Sequence, residues 1–234
     1  MRSLALRLAI LGAVAVVFGG ATFSKAVLTA SSSNPGNTFA SANAFNLSAQ
    51  MLDPGAYLRM TVSLQATAAD GEDGSSIASV TVERSPAGAG AWTDVCTDPT
   101  SPYNCSFDTA LVADGLYDLR ATAVNDVGGS ATSTTVANRR VDNTTPTATM
   151  NDPGANLGGT VSLTAPASDG GSGVATVLIQ RSPAGAGTWT DVCTDTALPY
   201  SCSFDTTTVP DGLYDLRSIT TDNAGNTATS ATVA

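Results

Sequence analysis

The sequence predicts an all-β chain: two tandem Greek-key β-sandwiches behind an N-terminal signal segment. Three observations carry this. Residues 53–137 and 152–234 are one sequence written twice, with 53 of 83 aligned positions identical once Glu72 and Asp73 are set aside. Apolar and polar residues alternate with period two through both copies, and no segment sustains helical periodicity. Asp, Asn, Gly, Pro, Ser and Thr interrupt that alternation at short intervals, as turns do. A period of 97–99 residues is too long for a solenoid unit and fits a complete small domain.

The elements follow in chain order. Met1-Arg2-Ser3-Leu4-Ala5-Leu6-Arg7 is a short positive region, Leu8 to Gly20 is apolar and uncharged, and Ser24-Lys25-Ala26 offers small residues at a cleavage site. This layout predicts a secretory signal peptide over 1–26. The apolar run is short for a membrane span, which needs about 20 residues; an uncleaved N-terminal membrane anchor is the rival reading. Residues 27–44, rich in Ser, Asn and Ala, read as a flexible leader. The first domain is expected over 45–141 and the second over 142–234.

Within each domain the strands can be read from the pattern. Leading strands are expected at 45–51 and 146–150. Val62, Leu64, Ala66 and Ala68 alternate with polar residues, as do Val161 and Leu163 in the second copy. Val80 and Val82, and Val177 and Ile179, mark the next strand. Ser-Pro-Ala-Gly-Ala-Gly at 85–90 and 182–187 supplies turn geometry and leads into strands at 91–97 and 188–194. Further strands are expected at 103–108 and 200–205, at 115–124 and 212–221, and at 130–137 and 227–234. About seven strands per domain is the number expected of an immunoglobulin-like sandwich.

Four cysteines occur, Cys96 and Cys105 in one copy and Cys193 and Cys202 in the other. Equal spacing, an even count and a signal-like N-terminus predict one disulfide inside each domain. A metal site is the rival reading, but the chain has no His and a pair of thiolates would need further ligands. The short spacing is unlike the antibody disulfide and predicts a link between neighbouring strands or the ends of one loop. Asp114-Gly115-Leu116-Tyr117 and Asp211-Gly212-Leu213-Tyr214 place Tyr117 and Tyr214 where a Greek-key sandwich has its tyrosine corner.

At these residues a resemblance emerges. Asp211 to Arg217 leading to Thr221-Asp222-Asn223-Ala224-Gly225-Asn226, and the connector Arg140-Val141-Asp142-Asn143-Thr144-Thr145-Pro146, resemble the Ig-like domain repeats of secreted and cell-surface bacterial proteins. The resemblance covers nearly everything from residue 45 onward and implies the fold rather than an activity. Asn34-Pro35-Gly36-Asn37-Thr38-Phe39, shortly after the signal segment, is similar to the leader of some bacterial surface and biofilm-fibre proteins.

Composition narrows the function. Ten basic residues stand against 20 acidic ones, and three of the ten lie in the first 26 residues. Such an acidic surface repels phosphate backbones and excludes nucleic acid as a partner. Without His, and with every Cys assigned to a disulfide, no catalytic residue is expected and the chain is read as non-enzymatic.

Two groups of residues remain as ligand candidates. The acidic turns Asp70-Gly71-Glu72-Asp73-Gly74, Asn125-Asp126, Asp142-Asn143 and Asp222-Asn223 carry oxygen donors suited to Ca²⁺, which at the joint would stiffen the pair. The plainer reading takes them as turn formers, with no cofactor. Trp92 and Trp189 either stack on sugar rings or pack at the sandwich edge beside their half-cystines.

The resulting expectation is a secreted or cell-surface bacterial protein acting as a structural or adhesive spacer, with a protein or glycan ligand unidentified. The alternatives are an accessory carbohydrate-binding module of a secreted polysaccharide-active enzyme and a biofilm-fibre subunit. The second copy stops at Val233-Ala234, where the first continues into a connector, so further domains are expected downstream.

Overall fold

A computed structural model describes residues 47–71 and 75–234. The signal segment, the leader, the start of the first expected strand and Glu72-Asp73-Gly74 lie outside the described residues. The first repeat runs through β1 (Ser48–Met51), β2 (Tyr57–Leu58), β3 (Thr61–Ala69), β4 (Ile77–Pro86), β5 (Thr93–Asp98), β6 (Tyr103–Asp108), β7 (Gly115–Asn125), β8 (Ser130–Thr132) and β9 (Val136–Val141). The second runs through β10 (Thr147–Ala148), β11 (Thr160–Thr164), β12 (Ala167–Ser168), β13 (Val174–Pro183), β14 (Thr190–Asp195), β15 (Ser201–Asp205), β16 (Tyr214–Asp222) and β17 (Thr227–Thr229). Among the described residues the only helices are single 3₁₀ turns after β6 and β15.

In the first repeat β1, β3 and β6 form one sheet, and β2, β9, β7, β4 and β5 form the other, with β8 also paired to β7. The leading strand is therefore divided between the sheets. β1 pairs antiparallel with β3, and β2 then pairs parallel with β9. Pro54 sits at the crossing, where its missing N–H and fixed φ suit a break in pairing. The closing strand is broken as well. β8 and β9 flank Ser133, whose hydroxyl accepts the Ala121 N–H and donates to the Thr134 carbonyl. The continuous strand expected at 130–137 is thus two strands with a side chain bridging the gap.

The alternation in sequence becomes an inward face. Leu64, Val80, Val82, Leu119 and Val141 are buried between the first pair of sheets with Tyr103, Cys105 and Phe107. Their counterparts Leu163, Val177, Ile179, Leu216, Tyr200 and Cys202 form a separate core in the second repeat. Burying each such aliphatic side chain contributes about 1.5–3 kcal/mol relative to leaving it in water. Register is firm because a slip of one residue would turn this whole set outward.

One backbone feature separates the copies. Met60 stands at φ 56°, and Gly159 occupies the matching place in the second repeat at φ 67°. Glycine adopts that left-handed conformation freely and methionine does not. Met60 is held there by its neighbours. Its carbonyl accepts the N–H and hydroxyl of Thr109, and its N–H donates to Asn143 Oδ1.

Candidate functional site

Each repeat is closed along one edge by its disulfide. Cys96 on β5 is bonded to Cys105 on β6, with Cα atoms 5.7 Å apart, and Cys193 on β14 to Cys202 on β15 at 6.1 Å. β5 and β6 belong to opposite sheets, so the bond staples the two layers together. Asp98 organises the intervening loop by accepting N–H bonds from Asn104 and Thr100. Those backbone donors hold its carboxyl below the ordinary Asp value, and Ser201 and Ala197 do the same for Asp195.

Tyr117 donates its hydroxyl to the Ala113 carbonyl at 3.0 Å, and Tyr214 donates to the Pro210 carbonyl at the same distance. Both bonds run four residues back, fixing the turn that leads into β7 and β16.

Trp92 and Trp189 lie just before β5 and β14, half-buried, each under an arginine. The Arg120 guanidinium carbon is 4.1 Å from the Trp92 ring centroid, and that of Arg217 is 4.0 Å from the Trp189 centroid. One face of each indole is therefore covered by a cation. Behind Arg120, Glu83 accepts two hydrogen bonds at 2.9 and 2.8 Å, and a third from Thr122. The bond from Arg120 is the main reason that the Glu83 carboxyl is held below its ordinary value. In the second repeat Gln180 takes the place of Glu83. It accepts from Arg217 and donates its amide to Asp191.

The connector between the repeats is bound at both ends. Val141 is buried in the first core, and the Asp142 N–H donates to the Leu58 carbonyl. Asn143 donates to Asp114 and to the Thr109 carbonyl, while Thr144 donates its hydroxyl to Asp114 Oδ2 at 2.7 Å. Burial works to raise the Asp114 carboxyl, but these donors together outweigh it and hold the group low. On the other side, Asn226 donates to the Asp142 carbonyl and the Ser172 N–H to Asp142 Oδ2. Arg59 of the first repeat lies against Gly225 of the second, where a Cβ would sit 3.1 Å from its Nε.

At this joint the carboxylates of Asp142, Asp169 and Asp222 converge, each offering an oxygen within 4.8 Å of the others. Asp142 and Asp222 are 0% and 1% exposed. Gly171 packs directly on the Asp142 carboxylate, leaving no room for a side chain.

Residues 146–217 match the family model described as a bacterial Ig domain. No curated protein matches the chain in sequence. Among solved structures, the chain is similar to the fibronectin(III)-like modules of Clostridium thermocellum CbhA, at 20% identity and TM-score 0.48, over 79% of this chain and 90% of that one. It is similar to domains A168–A170 of titin at 18% identity and TM-score 0.46, over 79% and 65% of the two chains. A tetra-tandem repeat from the extending region of a large adhesion protein gives 19% identity and TM-score 0.35, over 81% and 48%.

Asp142 lies four residues before the matched segment and Asp222 five residues after it, so the carboxylate cluster brings residues from beyond both ends of that segment together with Asp169 from within it. Of the turns singled out in sequence, Asp142 and Asp222 come together, while Asp70, Asn125 and Asp126 lie in the first repeat. Asp169 was not singled out, although Asp169-Gly170-Gly171 is an acidic turn of the same kind as Asp70-Gly71. Only the pairing of β13 with β16, which brings Val174 opposite Asp222, places it beside the other two.

Proposed function

We propose that this chain is a non-catalytic spacer or adhesive module of a secreted or surface-attached bacterial protein, built from two Ig-like domains. One observation carries the reading. Two near-identical sandwiches, each with its own core and disulfide, are joined by a connector whose residues bond to both. A short, well-fastened joint transmits orientation from one domain to the next, which is what projecting or multiplying a surface contact requires. The absence of His from the sequence and the commitment of all four Cys to disulfides support a non-catalytic role. The disulfides also support an oxidising, extracellular location. No helix among the described residues is long and apolar enough to cross a membrane.

The carbohydrate-binding alternative turns on the two tryptophans. With an arginine against one face of each indole, a sugar would have to use the other face or displace the cation. Pull-down on insoluble polysaccharides, together with a glycan array, tests this directly. The spacer reading expects no saturable binding. Saturable binding lost in both Trp92→Ala and Trp189→Ala would replace it with a carbohydrate-binding module.

A further inference from the structure

We infer that the second repeat carries an open strand slot, between residues 155–157 and 212–216, that takes an extended segment of another polypeptide with the side-chain pattern of residues 138–144. The inference stands whether or not the chain is a spacer.

The first repeat shows how such a slot is filled. There β9 lies between β2 and the start of β7. Tyr57 and Leu58 stand opposite Arg140 and Val141 on one side, and Gly115, Leu116 and Tyr117 opposite Val141, Arg140 and Arg139 on the other. The Ala56 and Leu58 carbonyls accept the Arg140 and Asp142 N–H groups. Val141 and Leu58 are buried in one core, 0% and 1% exposed. Three carboxylates bind what the strand and its continuation bring. Asp118 accepts the Asn138 N–H, Asp53 pairs with Arg139, and Asp114 accepts from Asn143 and Thr144.

The second repeat has the walls of this slot. Val233 and Leu216 exchange N–H bonds, as the counterparts of Val136 and Leu119, and pairing along that side of β16 goes no further toward its start. β16 begins at Tyr214, whereas β7 begins at Gly115, the counterpart of Gly212. Residues 156–157, the counterparts of β2, belong to no strand, and the Ala155 and Leu157 carbonyls accept no hydrogen bond. Leu157 is 37% exposed where Leu58 is 1%. The carboxylates are in place as well. Asp152 and Asp215 each accept one N–H, from Gly154 and Gly185, as Asp53 and Asp118 do from Gly55 and Gly88. Neither has the second donor that β9 gives its counterpart, and Asp211 accepts no hydrogen bond at all.

This combination selects the partner. An open backbone edge recruits an extended strand through main-chain hydrogen bonds, and alternate side chains supply specificity. The incoming strand runs antiparallel to β16 and parallel to 155–157. Its inward apolar residue covers Leu157 and removes that surface from water. A basic side chain two residues earlier meets Asp152, and Asn or Thr beyond it meets Asp211. An acidic strand is refused, because the acids lining the slot have no cation of their own. The partner is therefore a strand of the Arg-x-Val-x-Asn-Thr kind, seated on the second repeat as β9 is seated on the first.

The test titrates the full chain, labelled with ¹⁵N, with a synthetic peptide of the sequence of residues 138–145, read by amide shifts and by thermal unfolding. The expected result is saturable shifts over residues 155–158 and 211–217, and none at the counterpart residues of the first repeat, where β9 already sits. The second repeat's transition should rise by roughly 5–10 °C at about tenfold excess over Kd. Asp152→Asn keeps an acceptor for the Gly154 N–H and removes the charge, so it should weaken binding about two- to fivefold. The Val141→Asp form of the peptide should not bind. No saturable shift, equal binding of the two peptides, or unchanged affinity in Asp152→Asn would each overturn the inference. So would a chain that is dimeric by size-exclusion chromatography and closed to the peptide, because a second copy would then hold the slot.

Discussion

Replacing Glu83 with Gln converts the first repeat to the residue that the second already carries, and so isolates one ionised group. Arg120 donates two hydrogen bonds to Glu83 while its guanidinium covers Trp92, and the side chains are 28% and 13% exposed. Freely exposed pairs contribute about 0–1 kcal/mol. Breaking a fully buried pair costs about 3–5 kcal/mol. Two charge-assisted bonds in a half-buried setting place Glu83→Gln between these, near 1–2 kcal/mol at neutral pH, because Gln keeps one of the two bonds. For a domain of this size that is a drop of roughly 5–15 °C in the first repeat's transition. The effect must depend on pH in one direction. Glu83 is held below its ordinary value of 4.5, so it ionises more readily folded than unfolded. Its contribution is full above pH 4.5 and is lost as pH falls through the lower folded value. The assay is calorimetric unfolding of wild type and Glu83→Gln from pH 7 to pH 3. The difference should be constant down to about pH 5 and shrink below 4.5. A difference that persists unchanged at pH 3 would refute the reasoning, since it would trace to packing and not to charge.

The remaining predictions concern the edge staple and the strained turn. Replacing Cys96 and Cys105 with Ser releases a loop with a sequence separation of 9. It should cost about 2.5–3 kcal/mol in the chain-entropy account, read by urea unfolding. Near-identical neighbours can exchange strands during folding. The same variant should therefore refold with a larger swapped or dimeric fraction by size-exclusion chromatography, and an unchanged fraction counts against local disulfides as a guard. Met60→Gly relieves a left-handed residue worth about 1–2 kcal/mol of strain, against about 0.5–1 kcal/mol for ordering a glycine. Met60 is 64% exposed, so little burial is lost, and a net gain near 0.5–1 kcal/mol is expected in urea unfolding. A loss of stability would mean that the methionine side chain, not its backbone, matters at the joint.

Sheet and core were legible because alternation is local. Val80 and Val82 announce their own inward face, and the repeated Cys spacing announces its own bond. The breaks were not legible, since they depend on partners distant in sequence. β1 gives way to β2 because β9 is present to receive Leu58, and β8 ends because Ser133 finds the Ala121 N–H. The Trp–Arg stacks are hidden for the same reason. Trp92 meets Arg120 only through the register that sets Arg84 opposite Thr93 on one side of β4 and opposite Leu119 on the other. The carboxylate cluster draws on three separate segments of chain. Each reads as an ordinary acidic turn, and nothing local reveals that the three converge.

Comparing the copies along one strand shows that they are not interchangeable. On the inward face of β7 stand Ala121, Ala123 and Asn125; on β16 the same places hold Ser218, Thr220 and Asp222. Ser218 finds the Thr149 carbonyl, whereas the Thr220 hydroxyl is buried with no partner, and Asp222 enters the carboxylate cluster. The first repeat closes this strand with methyl groups and an amide that satisfies its own neighbour. The second places hydroxyls and a charge there, each a cost unless something compensates it. Part of what satisfies the neighbouring donors, Asn226 and Ser172, comes from outside the second repeat. Asp142 reaches in from the connector, its carbonyl accepts from Asn226, and its carboxylate accepts from Ser172. The second repeat is thus the copy whose interior depends on what precedes it, and this ties its folding to the presence of the joint. Substitutions at Asp142 should accordingly weaken the second repeat more than the first, although Asp142 follows the first repeat's last strand.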